Sequence, residues 1–313
     1  MIPAIVIAFV LLSAWLGGSF YAYKRTFGGT AKMRDADPES FIREERGSEA
    51  YEKHKARMAL VLSAPLERVT VRSFDGLTLS ARYYKGEEGA PVVLFFHGYR
   101  SNAVHDGCGL FRIARERGYH VFLCDQRAHG ESEGRCLTFG VLERKDVLSW
   151  AEYAQRRFPG AKIFLSGISM GGATVLMAAS LPLPKAVVGI LADCPYSSPK
   201  EIIMKVMGEM GLKPKLVYPL VRSGAMLFGG FDPSGADALT AVSNKTLPTL
   251  IVHGSADGFV PAEMSVRIDA ASAGAHKLVL VEGADHGKSF DVAPDLYFGE
   301  ISAFFDACLQ GTL

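Results

Sequence analysis

Apolar and polar positions alternate along this chain in a regular way. Short apolar runs fall at residues 91–96 (Pro-Val-Val-Leu-Phe-Phe), 119–124, 161–166, 185–191, 247–252 and 276–281. Each is uninterrupted by charge or nearly so, as expected of strands in a sheet covered on both faces. Between them lie segments of helical character near 109–117, 139–158 and after residue 169, and a last one at 290–309. Strand and helix in turn, joined by short connections, predict a doubly wound, mostly parallel sheet of the α/β class. Upstream, residues 67–71 and 77–84 flank Ser-Phe-Asp-Gly and predict a β-hairpin. Residues 50–62 predict an amphipathic helix that packs on the domain or forms a stalk, and Pro38 after Asp37 marks a further helix start. The charged run 34–57 reads as a solvated helix face.

Two stretches depart from this rhythm. Residues 2–23 contain no charged side chain. Twenty-two helical residues at about 1.5 Å each span roughly 30 Å of hydrocarbon. Trp15, Tyr21 and Tyr23 suit an interfacial belt at one end. Two readings compete: a cleaved signal peptide would carry Lys or Arg before the apolar core and a clear small-x-small site after it, and with neither clear in the sequence an uncleaved anchor is the expectation. Lys24, Arg25, Lys32 and Arg34 follow the segment, and the positive-inside rule then puts the rest of a single-pass protein in the cytoplasm. The expected organisation is an anchor at 1–25, a helical linker at 26–65 and an α/β domain at 66–313. The second departure is 197–237, too long for one crossover helix and carrying Met204, Met207, Met210 and Met226. It predicts an inserted helical cap. Its methionines form either a flexible apolar lid over a site or the cap's own core.

Composition narrows the function classes. Thirty-four basic and 33 acidic residues leave a net charge of +1, which gives nucleic acid no electrostatic hold. The five cysteines include no C-x-x-C pair and fit a reducing compartment. No metal or organic cofactor is implied.

The polar clusters all follow strand ends, where open α/β sheets place their ligands. One of them is Gly167-Ile168-Ser169-Met170-Gly171, between an apolar strand and a helix. A serine there sits on a sharp strand-to-helix turn that tolerates only small neighbours, and its hydroxyl projects above the sheet. A hydroxyl needs a base to take its proton, and the base needs an acid to hold its tautomer. His286 follows the last strand in Gly-Ala-Asp-His-Gly, and Asp257 follows the preceding one in His-Gly-Ser-Ala-Asp. Ser169, Asp257 and His286 therefore form a complete set in the chain order Ser, Asp, His. Asp193 is the rival acid. His97, Asp125, His129, His253 and Asp285 lie on the same face, with His253 expected to bond backbone and Asp285 to point elsewhere. The N–H groups of Met170 and Tyr99 are the expected donors to an oxyanion, Gly98 allowing close approach.

At these residues the chain resembles the α/β-hydrolase superfamily: His97-Gly-Tyr, Asp125-Gln-Arg-Ala-His-Gly-Glu-Ser, Gly167-Ile-Ser-Met-Gly-Gly, Asp257 with Val260-Pro261, and Gly287 after His286. It is most similar to the membrane-anchored Bem46-like or serine-aminopeptidase-like branch, over about residues 66–310. The resemblance implies Ser169 as nucleophile, His286 as base, Asp257 as acid, and Tyr99 and Met170 as oxyanion donors. It implies a chiefly structural role for residues 125–132. The expected activity is hydrolysis of carboxylic esters, lipid esters and thioesters included, through an acyl-enzyme. A peptidase cleaving N-terminal residues is the alternative and would need an acidic anchor such as Glu201 or Glu209. A non-catalytic interaction module would need a damaged triad, and a dehalogenase an acidic nucleophile; neither matches the residues present.

Overall fold

The computed structural model describes residues 2–29, 37–42 and 46–313. Lys32 and, from the charged run at 34–57, residues 34–36 and 43–45 lie outside them. Eight strands form one sheet: β1 (Leu66–Arg72), β2 (Thr78–Tyr84), β3 (Val92–Phe96), β4 (His120–Cys124), β5 (Ile163–Ile168), β6 (Val187–Asp193), β7 (Thr249–Gly254) and β8 (His276–Val281). Their order is β1-β2-β4-β3-β5-β6-β7-β8. The first two strands pair antiparallel, in register from Leu66↔Tyr84 to Arg72↔Thr78, and β2 meets β4 antiparallel. From β4 to β8 every pairing is parallel. The sheet is thus the doubly wound, mostly parallel one the apolar runs predict.

Strand alternation divides the core. Val92, Leu94, Phe96, Ile163 and Leu165 face one layer, while Val93, Phe95 and Phe164 face the other. The first layer holds helices Glu143–Arg157 and Met170–Ala178 with the helices of 199–243; the second holds Glu49–Leu62, Ala103–Glu116 and Pro294–Gln310. Both faces are covered, which is why β3, β4 and β7 are buried throughout.

Several boundaries differ from the expectations for local reasons. The helix expected at 139–158 begins only at Glu143, because Phe139 and Gly140 take positive φ (54° and 89°). Glu143 then folds back to accept from the N–H groups of Thr138 (2.6 Å) and Gly140 (2.8 Å). The helix expected near 109 starts at Ala103, capped by Asn102, whose Oδ1 accepts from Val104 N (3.0 Å) and His105 N (2.9 Å). Gly107 and Gly109 depress helix propensity there and hide the true start. The strand expected at 185–191 runs Val187–Asp193, and the closing helix splits into Ser289–Val292 and Pro294–Gln310 at a proline.

The largest surprise concerns the apolar N-terminal helix, Ile2–Phe27. Among the described residues one helix, Ile5–Phe27, is long and apolar enough to cross a membrane. It is not a separate appendage. Its first half is exposed, but from residue 18 onward one face is buried, with Ser19, Tyr23 and Phe27 at i, i+4, i+8. This face packs on helix Pro214–Gly224 and the π-turn Ala225–Gly229. Ser19 Oγ and Ser223 Oγ lie 2.8 Å apart. At Gly224 a Cβ would stand 2.2 Å from the carbonyl oxygen of Ser19, so only glycine admits the apolar helix at this distance. Phe27 sits edge-on to Phe139 (5.7 Å) and Phe231 (5.1 Å), inside the core of the first layer.

Candidate active site

The strand β5 delivers Ser169 to its carboxyl end, and helix Met170–Ala178 starts at the next residue. Ser169 has φ 54°, a left-handed value that few non-glycine residues adopt. The strain persists because the surroundings fix it: Ser169 N donates to Asp193 O (2.7 Å) on β6, and Ala173 N bonds Ser169 O (2.9 Å). A Cβ at Gly171 would lie 1.9 Å from Phe96 O, so the first helical turn presses directly on strand β3.

Three side chains converge here. Ser169 Oγ lies 2.9 Å from His286 Nε2, and His286 Nδ1 lies 2.7 Å from Asp257 Oδ2. The carboxylate holds the Nδ1–H, which leaves Nε2 free to accept the serine proton. Asp257 Oδ1 accepts from the N–H groups of Phe259 (2.9 Å) and Val260 (2.7 Å). Burial opposes ionisation of Asp257, but hydrogen bonds from His253 and His286 outweigh it and hold the carboxyl below the ordinary range. His253 is more than a backbone-bonded strand end: Nε2 contacts Asp257 Oδ2 (3.1 Å) and Val260 O (2.9 Å), while Nδ1 meets Ser265 Oγ (2.6 Å). Phe259 stands edge-on to the His286 ring at 5.1 Å.

The rivals are spent elsewhere. Asp193 accepts from Tyr297 OH (2.9 Å), and burial pushes its carboxyl up to about 6. Asp285 Oδ1 accepts from Gly258 N (3.0 Å) and His286 N (2.7 Å), tying the two loops together. His97 Nε2 accepts from Gln126 N (3.1 Å), and His129 Nδ1 donates to Arg127 O (3.0 Å). Asp125 accepts from Glu131 N (3.2 Å), and Ser132 Oγ donates to Asp125 O (2.6 Å), so that motif orders its own loop.

The expected oxyanion donors flank the serine. Met170 N opens the helix, and Gly98 lies against Ser169, a Cβ there falling 3.5 Å from Ser169 Cβ. Gly98 N is taken by Asp106 Oδ2 (2.6 Å), which leaves Tyr99 N as the next donor along the loop.

A cavity of about 170 Å³ opens beside Ser169 and His286. Its far wall was not legible as part of a site: Phe41, His54, Arg57, His105 and Asp291 line it. His54 and Arg57 come from helix Glu49–Leu62, whose buried stripe is Tyr51, His54, Met58 and Val61. The helical period revealed that stripe; nothing in the sequence revealed what it faces. Arg57, taken as part of a solvated face, pairs with Asp291 and reaches His54 Nδ1 (3.3 Å). Burial, then the neighbouring His105 and Arg57, lower His54 to about 4.

Among the described residues, none from 197–237 lines this cavity. The segment instead seats the apolar helix and, through Lys205 Nζ donating to Gly258 O (2.8 Å) and Phe259 O (2.7 Å), pins the Asp257 loop. Met207 is buried, whereas Met210 and Met226 are exposed. Glu201 pairs with Arg267 and Glu209 with Lys205, so neither is placed to anchor a substrate amine.

Known proteins carry the same architecture. Residues 87–223 match the serine aminopeptidase S33 family. Mouse monoglyceride lipase is 29% identical over 249 residues, covering 68% of this chain and 80% of its own. An uncharacterised Bacillus subtilis protein, YqkD, is 22% identical over 229 residues, covering 71% and 75%. A Pyrococcus furiosus esterase superposes with a TM-score of 0.63 at 23% identity, covering 79% of this chain and 92% of its own. The Butyrivibrio proteoclasticus protein Est1E superposes with 0.58 at 19% identity, covering 78% and 99%. The chain has the α/β-hydrolase fold, and over residues 87–223 it is similar to the serine aminopeptidase S33 family.

Proposed function

We propose that this protein is a membrane-anchored serine hydrolase that cleaves carboxylic esters. The observation that carries the reading is the continuous hydrogen-bonded line Ser169–His286–Asp257, at 2.9 and 2.7 Å, opening on a cavity. In the proposed reaction Ser169 Oγ attacks the ester carbonyl carbon as its proton passes to His286 Nε2. The carbonyl oxygen becomes an oxyanion held by the N–H groups of Tyr99 and Met170. Collapse expels the alcohol, which takes the proton from His286. Water, deprotonated by His286, then releases the acid and restores Ser169. Asp257 stays ionised throughout and stabilises the imidazolium.

The similarity to a monoglyceride lipase and to esterases supports an ester substrate. The cavity is smaller than the roughly 300–1,000 Å³ of sites that enclose a drug-sized ligand. Short acyl groups therefore fit the described site better than long ones. The test uses full-length protein in detergent, p-nitrophenyl esters of graded acyl length, aminoacyl-arylamides and a fluorophosphonate probe. Turnover should be highest on short esters, and Ser169→Ala should lose labelling and at least 10³-fold in kcat. Equal labelling of Ser169→Ala and parent would sink the proposal. Turnover of aminoacyl-arylamides in preference to esters would replace it with the peptidase reading.

A further inference from the structure

An α-helix leaves its last four carbonyls without internal partners. In the apolar helix Ile2–Phe27 all four are met. Lys24 O accepts from Gly28 N (3.2 Å) and Phe27 O from Leu137 N (3.0 Å). The remaining two accept from adjacent side chains of the loop beside Ser169: Arg25 O from the Arg100 guanidinium (3.0 Å) and Thr26 O from the Tyr99 hydroxyl (3.1 Å). Arg100 also reaches Gly28 O (3.4 Å). A cation at the negative end of a helix dipole adds to the hydrogen bonds.

The loop that makes these caps holds the second proposed oxyanion donor. Its other side is fixed by Asp106, which accepts from Gly98 N (2.6 Å) and from Ser101 Oγ (2.7 Å). Tyr99 N lies between the two clamps. The loop stores strain, since Arg100 has φ 51°. Such a backbone state is unfavourable and survives only where the surroundings over-determine it. Here the Arg100 guanidinium lies over the Tyr99 ring (5.0 Å), the ring packs on Phe139 (5.0 Å), and Phe139 meets Phe27 edge-on (5.7 Å). A chain of contacts therefore runs from the core-facing end of the apolar helix to the residue next to the serine.

We propose that the inner end of the apolar helix is a positioning element for the oxyanion hole, acting through Tyr99 and Arg100, so that the membrane anchor is also part of the catalytic apparatus. This inference rests on the serine-hydrolase reading above. Neither side chain is required to touch substrate; their caps hold Tyr99 N where charge develops.

The test is the double variant Tyr99→Phe/Arg100→Gln in the full-length protein. One oxyanion donor is worth about 10²–10³ in rate, so a donor displaced but not removed should cost about 10-fold in kcat. KM should stay within about twofold, and affinity for a trifluoromethyl ketone, which forms a tetrahedral adduct on Ser169, should fall by the same factor as kcat/KM. The acid limb of kcat/KM, set by His286, should not move. Arg100→Lys, which keeps a cationic donor, should retain most of the rate. Should the double variant fail to fold, Tyr99→Phe alone should show the same pattern at about threefold. An unchanged kcat overturns the inference, and so does a loss accompanied by a shifted acid limb and a raised KM, which would mean general distortion. A parent enzyme inactive on every ester while unlabelled by fluorophosphonate would instead remove the underlying reading, and this inference with it.

Discussion

Among the described residues two long α-helices precede the sheet, and they reach the site by opposite means. Helix Ile2–Phe27 carries no charge before Lys24, and its contribution is made by main-chain carbonyls and by the rings of Tyr23 and Phe27. Helix Glu49–Leu62 is charged outside, with Glu49 paired to Lys53, and its contribution is made by side chains: His54 and Arg57 face the cavity. Hydrophobic pattern states how much of a helix must leave water. It does not state whether lipid or the protein's own core receives it. In the first helix the two halves differ: residues 5–17 are exposed over their apolar length, and residues 19, 23 and 27 are buried in the domain.

The contrast between the two halves of the first helix gives the largest expected effect. Phe27→Ala removes a fully buried ring and should cost about 3–5 kcal/mol in denaturant unfolding of the detergent-solubilised protein. Phe9→Ala, at a position 69% exposed, should change it by less than about 0.5 kcal/mol. Equal effects from the two would erase the distinction between a free and a docked half.

The second helix should show itself through pH. The folded-state pKa of His54 is lowered to about 4 from 6.5, chiefly by burial. Below pH 6.5 the unfolded chain therefore binds a proton that the folded protein refuses, and stability falls as pH drops from 6.5 toward 4. Allowing for the residue's place on the wall of an open cavity, His54 should account for on the order of 1–2 kcal/mol of that fall. Thermal unfolding of His54→Gln across this range should show a shallower decline than the parent. Identical slopes would mean that the histidine stays neutral in both states or charges without cost.

The smallest effect separates the halves of the first helix once more, now by a polar group. Ser19→Ala breaks the contact with Ser223 Oγ and should cost about 0.5–1.5 kcal/mol, whereas Ser13→Ala, at an exposed position, should cost nothing measurable. A loss at Ser13 as large as that at Ser19 would place a partner on the outer half.

Much of the architecture was legible for a physical reason. Strands covered on both faces must be apolar throughout, so runs such as 91–96 and 247–252 announce themselves. The turn at Ser169 was legible because a backbone that crowded leaves the sequence few alternatives to glycine. Chain order then pointed to Asp257 and His286, which the fold links in a line, Asp257 to His286 and His286 to Ser169. Helix starts at 103 and 143 were misplaced because capping by Asn102 and the fold-back of Glu143 outweigh local propensity.

The sequence by itself determined the sheet, the order of its strands along the chain and the residue types available at each strand end, because those depend on local period and on short-range sterics. The tertiary structure alone decided that the apolar helix closes on Tyr99 and Arg100, that His54 and Arg57 wall the cavity, and that segment 197–237 leaves it uncovered. Those contacts join residues up to 234 positions apart, and the groups that make them are carbonyls, hydroxyls, ring faces and guanidinium groups. Such groups serve equally well in many settings, so their partners are chosen by packing and leave no periodic mark in the chain.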